Sequence, residues 1–445
     1  MKLKQHLISF CLLITTVVLI SCSSGKSDDK SIIGNVRRRI IHELNESTLA
    51  KGDSIIAITG GMLIDGTGKS PIKDASIIIK NDKIIEAGER SSIRIPDDAK
   101  VIDARGMTIL PGMFDAHYHN EASKDMPQLY VQHGITSVRD PGEWIESYHD
   151  VMTSGILLPR LFLTGPHINT FPPAYPEDAI IIQDNEEAKL AVDKLAHQGA
   201  TAIKVYFGLS VGMIREVCKT AHAYGLPVTA HLEISNARDA IEAGLDGIEH
   251  VTSFGNVLIP PYDAEQYKIR VLADFNARKR GRYEMWNLIK LENNPAVDSL
   301  LLFLAHKKIF MSPTLAVFEK QSDHGDSVEV NAFQNMIRFV GMAKKAGVPI
   351  VVGSHTYVPY AENGFAYFRE LELLHEAGLD PMEVIVAATM ENARYFKVEE
   401  RLGSIEPGKL ADLVLIDGDP LKDIKSMRNV KRVMLNGKWL TTTHH

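Results

Sequence analysis

In a chain of 445 residues, 45% hydrophobic and 24% charged, the balance is that of a globular protein with a large core and excludes a disordered or fibrous one. A formal net charge of −7 points to no nucleic-acid partner and to no attraction towards an anionic membrane surface. The short basic run "ARKRGRY" at 277–283 reads as a solvated helix face.

At the amino terminus, "MKLK" precedes the apolar stretch "LISFCLLITTVVLISC", which is short for a membrane span and ends on small residues before Cys22. "LISC" resembles the lipobox of bacterial lipoproteins. The resemblance implies a lipoprotein signal peptide over 1–22, an acyl chain on Cys22, and an exported protein facing the periplasm or the cell surface. Its only membrane contact would be that lipid. An uncleaved anchor helix is the lesser reading, because charges follow too soon. Residues 23–53 read as a tether. Of the three cysteines, Cys11 lies in the removed segment and Cys22 would carry lipid, so Cys218 has no partner and reads as a small buried hydrophobe.

From residue 54 the texture becomes short β-like runs, "SIIAITGGMLIDG", "ASIIIKNDKIIEAG" and "KVIDARGMTILPG", punctuated by Gly, Asp and Asn. The far end repeats it in "KLADLVLIDGD" and "VKRVMLNGKWL". Segments 54–107 and 403–445 are therefore expected to pair into one composite β domain. Between them, over 108–402, apolar strands alternate with amphipathic helices. The strands are "TILPGMFDAH", "ITSVRD", "RLFLTG", "TAIKVYF", "PVTAHL", "DGIEHV", "KIFMSPTL" and "PIVVGSH". Eight βα units predict an α/β fold, a (β/α)8 TIM barrel with its chemistry at the strand carboxyl ends; an open doubly wound sheet is the lesser option. Residues 256–308 exceed an ordinary crossover and read either as an insertion over the barrel mouth or as a helical decoration outside it.

Candidate functional residues fall at those strand ends. His117 and His119, in "DAHYH", are two apart and so share one face of a strand. His231 closes "TAHL" and His250 closes "IEHV". In "TAIKVYF", period two puts Lys204 and Tyr206 on one face and Ile203 and Val205 on the other. An ammonium in a strand buried on both faces is costly unless it is paired or neutralised. Conversion by carbon dioxide to a carbamate, an oxygen ligand able to bridge two cations, is one remedy. Imidazoles from several strands together with such a lysine suggest a transition-metal site.

The set resembles the metal-dependent amidohydrolase superfamily, in its imidazolonepropionase-like and Xaa-Pro dipeptidase (prolidase)-like branch. "ILPGMFDAHYH", "GITSVRDPG", "AHAYGLPVTAH", "AIEAGLDGIEHV" and "LGSIEPGKLADLVLIDGDPL" carry the resemblance across residues 54–440. It implies a β-sandwich built from both chain ends, with His117 and His119 on one divalent metal and His231 and His250 on a second. Carboxylated Lys204 would bridge the two. Zinc is expected, with iron, manganese or cobalt as alternatives, since nitrogen and oxygen donors suit all four. The implied reaction is hydrolysis of a C–N bond, in an amide, a cyclic amide or a dipeptide, of a small-molecule substrate by a metal-activated water. Tyr206 would stabilise the developing oxyanion or hold a substrate carboxylate. Asp140 would fix the loop after its strand. A homo-oligomer is compatible with the sequence.

One position departs from the family. Its eighth strand ends in an aspartate, whereas this chain reads "GSH", with His355 there. A carboxylate can touch a metal and take a proton at once; an imidazole, with nitrogens on opposite sides of its ring, serves one role or the other. His355 is expected to act as general base, given the near-neutral pKa of imidazole. The alternative is a catalytically weak or inactive binding protein on the same fold; a third reading makes His355 a metal ligand. Glu362, in "YAENG", is a nearby substitute acid.

Overall fold

The computed structural model describes residues 40–120 and 125–440. The signal peptide and the Cys22 anchor lie outside the described residues. No helix among the described residues is long and apolar enough to cross a membrane.

The two ends of the chain meet in one eight-stranded sheet. Strand Leu413–Asp417 pairs antiparallel with Met107–Pro111 on one side and with Val430–Leu435 on the other. Strand Ile55–Leu63 runs parallel to Met107–Pro111 and carries Ile72–Lys80 and Lys83–Glu89 beyond it. Side chains alternate between two cores, as the pleat requires. Leu413 and Leu415 join Ile56, Ile58, Ile77 and Ile79 in one cluster, while Val414 and Ile416 face the large core of the parallel strands. Strands from both ends of the chain thus share one continuous sheet.

Parallel strands follow at the expected places: Met113–Asp115, Ile135–Asp140, Arg160–Leu163, Ile203–Val205, Val228–Ala230, Gly247–Glu249 and Phe310–Ser312. "PIVVGSH" makes only an isolated bridge, Ile350 to Met311, yet its backbone links two neighbours. Val351 N–H donates to Met311 O at 2.9 Å, and Ala116 N–H donates to Val352 O at 2.8 Å. These bonds tie the stretch to Phe310–Ser312 on one side and to the residues just after Met113–Asp115 on the other. Gly353 makes the approach close: a Cβ there would lie 2.4 Å from Ser312 Oγ and 2.8 Å from His117 Cβ.

The helices begin and end where their sequences signal. Asp184 accepts the Glu186 and Glu187 N–H groups at the start of Asn185–Gln198, and Gly199 closes that helix at φ 98°. Asp326 and Glu329 form a capping box on Ser327–Lys345. Cys218, on Val211–Ala223, is buried as expected, and burial pushes its thiol up to about 12.

Two expectations change. The tether, taken to residue 53, ends earlier: Ile41, Glu43 and Asn45 are buried. Glu43 pairs with Arg160 and Arg401, and the Asn45 side chain exchanges hydrogen bonds with Pro159 O and Leu161 N–H at 2.8 and 3.0 Å. The buried cation of Arg160, invisible in the local sequence, draws this segment in. The stretch 256–308 contains helices Pro261–Ala273, Ala277–Leu288 and Pro295–Lys307. The middle one lines a cavity at the carboxyl ends of the strands through Arg278, Lys279 and Arg282. The basic run is accordingly two-sided: Arg278 is 4% exposed, whereas Lys279 and Arg280 face solvent.

Candidate metal centre

His117, His119, Lys204, Tyr206, His231, His250 and His355 all line one cavity of about 420 Å³ at the carboxyl ends of the strands. Lys204 and Tyr206 share it as period two requires, while Ile203 and Val205 lie in the core. Glu362 is not there; it is exposed in a separate groove with Tyr360 and Arg369.

The first and eighth strands fix the first histidine pair. Asp115, fully buried, accepts the N–H groups of His117 and Ser354, both at 2.9 Å, as well as the Ser354 hydroxyl. His355 N–H donates to His117 O at 2.7 Å, and His119 N–H donates to Thr356 Oγ1 at 2.7 Å. The result brings His117 Nε2 to 3.0 Å from His119 Nε2 and stacks the His355 ring on His117 at 5.1 Å. Nδ1 of His355 is buried without a hydrogen-bond partner among the described residues.

Glu249, beside His250 in "DGIEHV", was passed over by the sequence reading. It is fully buried, and its Oε2 contacts both Lys204 Nζ and His117 Nδ1. An acid at the inward period of a buried strand, two residues after Gly247, was the signal available. The remedy for the buried Lys204 ammonium is therefore an ion pair inside the site. Burial depresses the Lys204 pKa, and Glu249 opposes that shift.

The remaining imidazoles are each held from outside. His250 Nδ1 meets Thr314 Oγ1 at 2.7 Å, and its ring lies 4.6 Å from those of both His117 and His231. His231 Nε2 is 2.9 Å from Glu233, which also binds Tyr267 and lies 3.5 Å from Arg282. Such outer partners fix ring orientation and leave the second nitrogen for the cavity. Asp140 serves its loop, accepting from Gly142 and Glu143 N–H groups at 3.1 Å and from the Tyr148 hydroxyl at 2.7 Å.

Strain gathers at the same place. Of the nine non-glycine residues with positive φ among the described residues, four are His250, Thr314, His355 and Thr356, at 65°, 46°, 63° and 58°. Non-glycine residues enter that region at a cost and persist where surroundings hold them.

Burial holds all these imidazoles neutral at physiological pH. His119 and His231 are brought down to about 4 and His355 to about 3, and His117 and His250 fall well below 6.5. Neutral imidazole is the ligand form. Among the described residues, two groups each have their donor atoms within 4.8 Å of one another: His117, His119 and His355, and His117, Glu249 and His250. Converging neutral nitrogens, one of them orphaned, with a carboxylate alongside, fit a divalent cation. His231 and Lys204 line the cavity but fall in neither group.

Known proteins resemble the chain over most of its length. Imidazolonepropionase of Picrophilus torridus is 25% identical over 397 residues, covering 82% of this chain and 92% of that one. Adenine deaminase of Leuconostoc citreum is 24% identical over 81% of this chain, which spans 56% of that enzyme. Among solved structures, a Xaa-Pro dipeptidase with bound methionine superposes with a TM-score of 0.66 at 24% identity, covering 87% of this chain and all of the other. Phenylurea hydrolase B gives 0.67 at 20% identity, over 87% of this chain and 97% of its own. Residues 108–440 match the amidohydrolase family, and with the histidine cluster lying inside that span, the chain belongs to it.

Proposed function

We propose that the protein is a hydrolase that cleaves a C–N bond of a small molecule at a divalent-metal centre. His117, His119, Glu249, His250 and His355 would hold the metal, with Lys204 and His231 beside them. The observation that carries the reading is the pair of donor groups sharing His117 in a cavity of ligand size. Relatives named imidazolonepropionase, adenine deaminase and Xaa-Pro dipeptidase support the bond type. A bound cation supplies Lewis acidity, polarising a carbonyl and lowering the pKa of water.

The chain's own groups do the rest. Tyr206 is buried, which raises its phenol pKa, so it stays a neutral donor towards a developing oxyanion. His355 is read as a ligand, because its Nδ1 is buried without a hydrogen-bond partner among the described residues and its ring stacks on His117; the general-base role is the second reading. Carboxylation of Lys204 is the second form of the same reading; burial lowers the pKa of the amine, and Glu249 opposes that shift.

The experiment is reconstitution of the full chain with zinc, with and without bicarbonate, followed by a hydrolysis screen of dipeptides and cyclic amides. Metal-dependent turnover abolished by chelation is expected, and a gain with bicarbonate marks the carbamate. Full metal occupancy with no turnover would identify a binding protein instead.

A further inference from the structure

Behind His231 the outer partner is itself held by the insertion. Glu233, fully buried, sets its Oε2 2.9 Å from His231 Nε2. Its Oε1 accepts the Tyr267 hydroxyl, and Arg282 Nη2 lies 3.5 Å from Oε2. Tyr267 belongs to helix Pro261–Ala273 and Arg282 to helix Ala277–Leu288, so both groups come from the insertion. A carboxylate buried to that depth is costly without a counter-ion. Among the described residues, Arg282 is the one lysine or arginine paired with Glu233. The cavity's other cations are placed elsewhere: Lys204 contacts Glu249, Arg278 donates to Phe275 O and to the Tyr175 hydroxyl, and Lys279 faces solvent.

Two glycines let the insertion sit closely enough to hold that carboxylate. A Cβ at Gly281 would lie 2.6 Å from Tyr267 Cε2, so its absence lets the second helix press against the tyrosine ring. A Cβ at Gly255 would lie 2.5 Å from Met285 Cε and 2.9 Å from Trp286 Nε1. Gly255 is in the Val251–Val257 turn that follows His250, and the same helix is thereby packed on the backbone leading out of the site. A carboxylate accepts and does not donate, so Nε2 of His231 carries its proton and Nδ1 keeps the lone pair. An imidazole whose N–H is held in this way is oriented and made a stronger ligand.

We infer that Glu233, Tyr267 and Arg282 are positioning residues of the metal centre, and that the insertion is the element that turns His231 towards a divalent cation. The inference rests on the reading of this cavity as a metal centre. His231 falls outside both close donor groups, so what it contributes depends on how its ring is held. The insertion then does more than line the cavity: through Tyr267 and Arg282 it supports a ligand from a strand of the parallel sheet.

The test is metal binding by the full chain, read as zinc affinity in competition with a chelator and as the visible absorption of the cobalt(II)-loaded protein, whose bands report the ligand set. Glu233→Gln is expected to weaken zinc binding about tenfold or more, and Tyr267→Phe and Arg282→Met about threefold or more, each with shifted cobalt bands. Arg282→Lys, which keeps the charge, should recover part of the loss. A merely structural role would lower the melting temperature and leave the affinity and the bands of the folded variants as in the wild type, and that result overturns the inference. A loss in Arg282→Met that Arg282→Lys does not reduce overturns it as well. If Glu233→Gln or Arg282→Met does not fold, Tyr267→Phe, which removes a single hydroxyl, decides alone. A wild type that binds no zinc removes the metal-centre reading and this inference with it; a wild type that binds zinc, with variants that bind it equally well, removes this inference alone. Turnover enters neither readout, so metal coupling without hydrolysis of any substrate would leave the inference standing and remove the hydrolase.

Discussion

His355 stands where the resemblance leads one to expect an aspartate, and its surroundings favour one half of that aspartate's work. The ring stacks on His117, and its backbone N–H is tied to His117 O at 2.7 Å. Its Nδ1 has no hydrogen-bond partner among the described residues, and the imidazolium is suppressed by burial and by His119. Those conditions suit a lone pair offered to a cation more than a proton acceptor. His355→Ala is therefore expected to weaken metal affinity by about tenfold or more, by analogy with the loss of groups that support a metal centre. A base-only role would leave metal affinity unchanged and lower kcat by about 10²- to 10⁴-fold. Metal titration beside steady-state kinetics separates the two. At this scale the histidines were legible because a strand end and a period of two suffice to aim them. Glu249 was missed because its value lies in what it touches, Lys204 from one strand and His117 from another.

At the scale of elements, local pattern located the strands and long-range charge did not show. "PIVVGSH" reads as a strand and runs as one against Met311 and Ala116, although a single bridge is all that regular pairing records. The segment around Glu43 reads as linker because nothing nearby in sequence needs it. It is held by Arg160, which also binds Asp412 and Asn436, so one guanidinium joins the segment, a parallel strand and the eight-stranded sheet. Burial alone would raise the Glu43 pKa, but Arg160 and Arg401 outweigh it and hold the carboxyl below 4.5. A lowered acid pKa gives stability that is fully present above the unfolded value and lost as pH falls through the folded one. Glu43→Gln is expected to cost about 3 kcal/mol at neutral pH, the scale for breaking a buried pair from one side. In melting experiments the gap from wild type should close as the pH is taken below 4.5. A gap that persists in acid, or none at neutral pH, would refute the clamp.

For the molecule as a whole, the β ends and the alternating middle were readable because hydrophobic period and turn residues are local signals. The way the cavity is closed was not, since the insertion shows its inward and outward arginines only when folded over the strands. The central claim is that these histidines, brought from separate strands into one cavity, hold a divalent cation. His117 is common to both donor groups, so its loss should empty both, whatever the metal's identity. The direct measurement is metal content per chain, by elemental analysis after reconstitution and removal of free metal, in the wild type and in His117→Ala. Stoichiometric metal in the wild type and a near-complete loss in the folded variant are predicted. A wild type that retains no metal, or a variant that retains as much as the wild type, would contradict the account.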